Sequence, residues 1–206
     1  MKKKQSFYNL DETLRQAVEQ FSRLDPEDTA IKAGADYSPD KKVLTISFIN
    51  QAYQISHPDG TVLTADGERA STYHAIIILH YLATATGEPL TGEWIAYRHL
   101  PGGDIYIDPF QKRAVNPFMM TFGGTPETFV KKALSVGGRQ AGKSGYSVEF
   151  RVLPRVPMLF TLWPGDEELP GSATILFDQS APGYLPTEDY AHLPGLIISA
   201  VKKAEV

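Results

Sequence analysis

The 206-residue sequence contains no cysteine. That excludes disulfides, thiolate zinc sites, cysteine nucleophiles and iron–sulfur clusters held by this chain alone. Long apolar runs are also missing. Ala75-Ile76-Ile77-Ile78-Leu79 is interrupted by His80 and is far too short to span a bilayer. Met1-Lys2-Lys3-Lys4 is not followed by an apolar h-region, so no signal peptide is expected. Neither a serine nucleophile elbow nor a His-Glu-x-x-His motif occurs. These absences lead to the expectation of a cytoplasmic chain with no membrane contact, and a net charge of −4 argues against a nucleic-acid partner.

A further absence is local. No Lys or Arg lies between Val156 and Val201, whereas Asp166, Glu167, Glu168, Asp178, Glu188 and Asp189 all fall there. The stretch just before it is basic, with Arg139, Lys143, Arg151 and Arg155 against Glu149 alone. One reading is an acidic face beside a basic one, with no site at all.

What is present reads as alternating helical and extended periods. Asn9, with Glu12 three residues on, has the spacing of a capping box for a first helix whose apolar face includes Leu10, Leu14, Val18 and Phe21. Asp25-Pro26 starts a second helix that Gly34 ends, and Tyr37-Ser38-Pro39-Asp40 follows as a loop. Val43–Ile49, the region of Tyr53 and Ile55, and Val62-Leu63 form a short antiparallel meander, with His57-Pro58-Asp59-Gly60 as a turn. Residues 71–86 are apolar nearly all round, which predicts a buried central helix. His74 and His80 lie on it about 120° apart, poor geometry for joint ligands and better suited to hydrogen-bonded core or interface histidines.

Downstream, a strand is expected over 93–99 and a turn at Pro101-Gly102-Gly103-Asp104. A helix capped at Thr125 follows, closed by Gly137-Gly138, and then strands at 146–153, 158–163 and 173–177. Thr187 caps a last helix, with Pro194 restarting or kinking it. No repeat or linker is evident. The expectation is a single α+β domain over 1–206, mostly antiparallel sheet with a buried central helix and flanking helices.

Gly137-Gly138-Arg139-Gln140-Ala141-Gly142-Lys143-Ser144 matches the P-loop pattern, with Thr174–Asp178 resembling a strand that ends in a magnesium-binding Asp. The context is wrong, because a P-loop joins a strand to the N-terminus of a helix, and here a helix precedes and a strand follows. His57-Pro58-Asp59-Gly60 holds the His-x-x-Gly core of corrinoid axial-ligand motifs, but Ile55 stands where an Asp is expected. The acidic segment is the better candidate. Trp163, Asp166, Glu167, Asp178, Glu188 and Asp189 sit on a turn, a strand end and a helix start; if these converge, the carboxylates would hold a cofactor, a cationic ligand or a hard cation such as magnesium or calcium. Trp163, Phe177 and Tyr184 would add stacking area.

The same pieces carry a likeness. Leu153-Pro154-Arg155-Val156-Pro157-Met158, Leu162-Trp163-Pro164-Gly165-Asp166-Glu167-Glu168, Leu176-Phe177-Asp178 and Tyr184-Leu185-Pro186-Thr187-Glu188-Asp189 resemble the C-terminal signature of the domain of unknown function 3786 family. His80-Tyr81-Leu82, Gly92-Glu93-Trp94 and Phe122-Gly123-Gly124 fit its layout. The resemblance implies a setting in anaerobic bacteria and archaea, near corrinoid, one-carbon or redox metabolism, because some members are fused to a cysteine-rich iron–sulfur segment. It assigns no catalytic residue. Lacking cysteine, this chain would need an iron–sulfur or corrinoid protein as a separate partner. Two function classes follow: an accessory ligand- or cofactor-binding module, or a metal-dependent enzyme using the C-terminal carboxylates.

Overall fold

The computed structural model describes residues 10–142 and 146–205. The chain groups into two compact units, one of residues 10–46 with 51–87, the other of residues 47–50 with 88–205. Helices and antiparallel sheets make up both, which establishes the α+β class.

The first unit holds helices α1 (Leu10–Ser22), α2 (Pro26–Ala33) and α3 (Thr72–Thr84). Its sheet is a meander in the order β1-β2-β3-β4, from β1 (Asp36–Ser38), β2 (Val43–Phe48), β3 (Gln51–Ser56) and β4 (Val62–Thr64). Strand β2 continues past Ile46, so its last two residues group with the second unit. Asn9, the expected cap of α1, lies outside the described residues. At α2 the capping is as its sequence demands: the Asp25 carboxylate accepts from the Asp28 N–H at 2.8 Å, Pro26 occupies the first turn, and Gly34 closes the helix at φ 65°. Helix α3 buries Ala75, Ile76, Ile77, Ile78, Leu79, Tyr81 and Leu82, and the Tyr81 hydroxyl donates to Ala33 O at 2.6 Å. The expected loop at 37–40 needs correction, since Tyr37 and Ser38 pair with Leu44 and Val43 in β1. Proline and aspartate next in sequence hid a three-residue strand.

The second unit is built on a five-stranded antiparallel sheet in the order β5-β9-β8-β7-β6. Its strands are β5 (Trp94–Ala96), β6 (Arg139–Gln140), β7 (Tyr146–Leu153), β8 (Val156–Trp163) and β9 (Ser172–Asp178). Alternation along the three long strands puts Val148, Phe150, Met158, Phe160, Ile175 and Phe177 on one face, all buried. Aromatic rings from the helices fill that face. Phe118 meets Phe160 edge-on at 5.3 Å and Phe129 at 4.9 Å, while Tyr97 stacks on Phe110 at 4.2 Å.

Phe118 comes from a helical run the sequence concealed: α4 (Ile107–Phe110), a π-helical turn (Gln111–Val115) and α5 (Asn116–Phe122). Pro109 and Pro117 disrupt the periodic signal, yet the backbone stays helical through Val115 and Asn116, and Pro117 follows directly on the π-helical turn. The preceding turn is wound to an i−5 bond, Asn116 N–H to Gln111 O. Helices α6 (Pro126–Ser135), α7 (Thr187–Tyr190) and α8 (Leu193–Lys203) complete the unit. The expected strand at 93–99 is only β5, followed by a 3₁₀ turn over Tyr97–His99. The last helix is two helices, and Pro194 stands in the first turn of the second. Thr187 is not its cap; its hydroxyl donates to Pro101 O at 2.8 Å.

Because Phe160 is fully buried between Phe118 and Phe150, Phe160→Ala should lower unfolding free energy by about 4 kcal/mol, read from urea denaturation. A loss near zero would mean that this ring cluster is not the core of its unit.

Candidate functional site

The six candidate residues fall in three places. Asp178 ends β9 and is 2% exposed. Its Oδ1 accepts from Thr91 N (3.1 Å), Thr91 Oγ1 (3.0 Å), Ser180 N (2.9 Å) and Ser180 Oγ (2.6 Å), and its Oδ2 from Gly92 N at 2.7 Å. Burial pushes this carboxyl up, but the hydrogen bonds from Ser180, Thr91 and Gly92 outweigh it and hold the group below the usual carboxylate range. With both oxygens committed inward, Asp178 ties the segment before β5 to the turn after β9.

Trp163, Asp166 and Glu167 belong to the other end of the sheet. Trp163 pairs with Ser172, six residues before Asp178, a separation of about 20 Å along the strand. The β8–β9 loop is tightly closed. Asp166 N–H donates to Leu169 O at 2.9 Å, and the Asp166 carboxylate accepts from Glu168 N at 2.9 Å and Leu169 N at 2.7 Å. Those bonds, from Leu169 and then Glu168, hold the Asp166 carboxyl below its ordinary value. A side chain at Gly165 would come within 2.6 Å of Gly171 N, so glycine is required where the two arms meet. On this closed frame Trp163 is 37% and Leu169 67% exposed, with Asp166, Glu167 and Glu168 all at the surface.

Glu188 and Asp189 form a third place, the first turn of α7, where acidic residues suit the helix dipole. Their charges act on His192, whose ring is held below its usual pKa by burial and then by Arg113, with Asp189 and Glu188 opposing. Among the described residues, no three His, Cys, Asp or Glu side chains gather as a metal site. Two of the supposed stacking aromatics are committed elsewhere. Phe177 and Tyr184 are completely buried, and the Tyr184 hydroxyl donates to Glu88 O. Trp163 alone of the three presents a face.

The described part of the P-loop-like segment, residues 137–142, follows a helix and carries strand β6. Lys143 and Ser144 lie outside the described residues. The paired glycines have a packing role. Gly138 N–H closes α6 onto Ala133 O at 2.8 Å, and a Cβ there would stand 2.6 Å from Val148 Cγ1. At Gly137, φ is 91° and a Cβ would meet Asn50 Cγ at 2.6 Å. Beside it, Ile49, Phe150, Arg151, Ile197 and Ala200 line a hollow of about 10 Å³, room for roughly one water and no cofactor.

His74, read as a hydrogen-bonded histidine, meets Tyr53 Oη through Nδ1 at 3.0 Å. Among the described residues no helix is long and apolar enough to cross a membrane. Compared with known proteins, the chain matches a family model described as domain of unknown function (DUF3786) over residues 25–200. No curated protein and no solved structure matches it.

Asp178→Ala should cost about 3 kcal/mol of stability at neutral pH, since three backbone donors lose a buried acceptor. Its folded pKa lies below the unfolded value of about 3.9, so the ionic part is complete above that pH and disappears as pH falls through the folded pKa. Urea titrations from about pH 6 downward should therefore show the wild-type advantage over Asp178→Ala shrinking in acid. An advantage that stays constant into strong acid would show that the charge itself contributes nothing.

Proposed function

Since the chain belongs to the domain of unknown function 3786 family, whose description names no reaction, we propose that it is an accessory binding module that holds a partner protein through its β8–β9 hairpin. One observation carries this reading: the loop places exposed Trp163 and Leu169 beside three surface carboxylates on a frame closed by its own backbone bonds. A tryptophan at a rim of one charge sign gives area plus selectivity, the division of labour found at protein interfaces. The matching surface is apolar with basic residues around it. Asp178, the most buried of the candidate carboxylates, is used internally and leaves the metal-enzyme alternative without support. The partner proposed with the hairpin carries a corrinoid or iron–sulfur group, which this cysteine-free chain does not hold on cysteine.

The test is purification of the tagged chain from its own host without oxygen, beside a variant combining Asp166→Asn, Glu167→Gln and Glu168→Gln. The expected result is a protein that stays with the wild type at low salt, is released at high salt, and carries corrinoid or iron–sulfur absorbance. The variant should lose it. A partner retained equally by the variant would sink the hairpin as the docking element.

A further inference from the structure

Of the four methionines in the sequence, two stand side by side on α5. Met158 is fully buried in the sheet core, and Met1 lies outside the described residues. Met120 is 86% exposed, whereas Met119 is half-buried.

Met119 reaches from α5 to the β8–β9 hairpin. A Cβ at Gly171, the residue before β9, would stand 2.7 Å from Met119 Cε. A Cβ at Gly123, which closes α5, would stand 2.6 Å from the same Cε and 2.8 Å from Met119 Sδ, as well as 2.6 Å from Met119 O. Backbone conformation demands neither glycine, because Gly123 has φ −59° and Gly171 is not among the residues of positive φ. What both positions supply is room for the thioether. Its methyl end fills a slot between the end of a helix and the returning arm of the hairpin. That slot adjoins the closure of the hairpin itself, since a Cβ at Gly171 would also meet Gly165 N at 2.9 Å and Trp163 O at 3.1 Å.

We infer that Met119 is a sulfoxidation site at which a hydroperoxide releases the hairpin from α5, a control on the docking role proposed for that hairpin and resting on it. The sulfur lone pair attacks one oxygen of hydrogen peroxide, so that an S–O bond forms and the O–O bond breaks. The departing hydroxide takes the proton from the sulfur-bound oxygen and leaves as water. Sulfur is oxidised by one electron pair, and the peroxide is reduced by the same pair. A flexible apolar end becomes a polar, chiral sulfoxide. The slot is closed to even one added carbon on either glycine, and a sulfoxide dipole without a hydrogen-bond donor is better placed in water. The side chain therefore swings out, and α5 loses its hold on Gly171. Met120, already at the surface, has little packing to lose on oxidation.

The experiment treats the full wild-type chain, Met119→Leu and Met120→Leu with hydrogen peroxide under native conditions. Mass spectrometry reads the oxygen gained by the peptide carrying both positions, and NMR reads amide hydrogen exchange. Leucine keeps much of the volume of methionine without its sulfur, so both variants should fold. Oxidation should speed exchange at Asp166, Glu168 and Leu169, whose N–H groups close the loop, about fivefold in wild type and Met120→Leu. Peroxide should leave Met119→Leu unchanged. Methionine sulfoxide reductase should reverse the effect, a readout that stands on the wild type alone where a variant does not fold. A folded Met120→Leu chain that gains no oxygen overturns the site. Unchanged exchange in that chain once oxidised overturns the release, as does an equal rise in oxidised Met119→Leu. Failure of the docking role looks different. Oxidised Met120→Leu, its hairpin loosened, would still capture from host extract the protein that the untreated chain holds; that result removes the hairpin as docking element and leaves the sulfoxidation site standing.

Discussion

A carboxylate removed from water persists as an anion only where donors replace its hydration, and Asp178 is surrounded by five. Those donors come from both sides of a long excursion in the chain, Thr91 and Gly92 before β5 and Ser180 after β9. The bonds set where β5 starts. One end of β9 is fixed by an internal charge, and the other ends beside charges turned to solvent.

This division explains why six residues that look alike in sequence behave differently. Asp178 ends a strand whose alternate residues are core, and its neighbours in the fold are three backbone amides and two hydroxyls. Asp166 follows a proline and a glycine, and organises its own loop. Glu188 and Asp189 open a short helix, where the dipole accounts for them. Spacing along the chain carries no measure of the strand length between Ser172 and Asp178, so the distance that separates the groups was not legible.

Much of the fold was legible. The second helix declared itself through Asp25, Pro26 and Gly34, and the central helix through an apolar run too continuous for a surface element. The three long strands of the second unit also fall where their alternation predicts. The failures share a cause. No helix was expected between the turn at 101–104 and Thr125, because Pro109 and Pro117 interrupt the period and a sequence does not show that a π-helical turn will carry the chain between them. Residues 36–38 are a strand because of the neighbour they pair with, a property that three residues cannot encode, and the strand expected over 93–99 is present but stops at Ala96.

The glycines at 137 and 138 have a wider consequence. Both positions exclude a β-carbon on steric grounds, and Gly137 is also the leading glycine of the nucleotide-binding pattern. Tight packing between a helix end and a returning strand can therefore account for the leading glycine of such a match without any phosphate. The discriminating quantity is the space in front of the glycines, open for a phosphate and filled here by Asn50, Val148 and the carbonyl of Ala133.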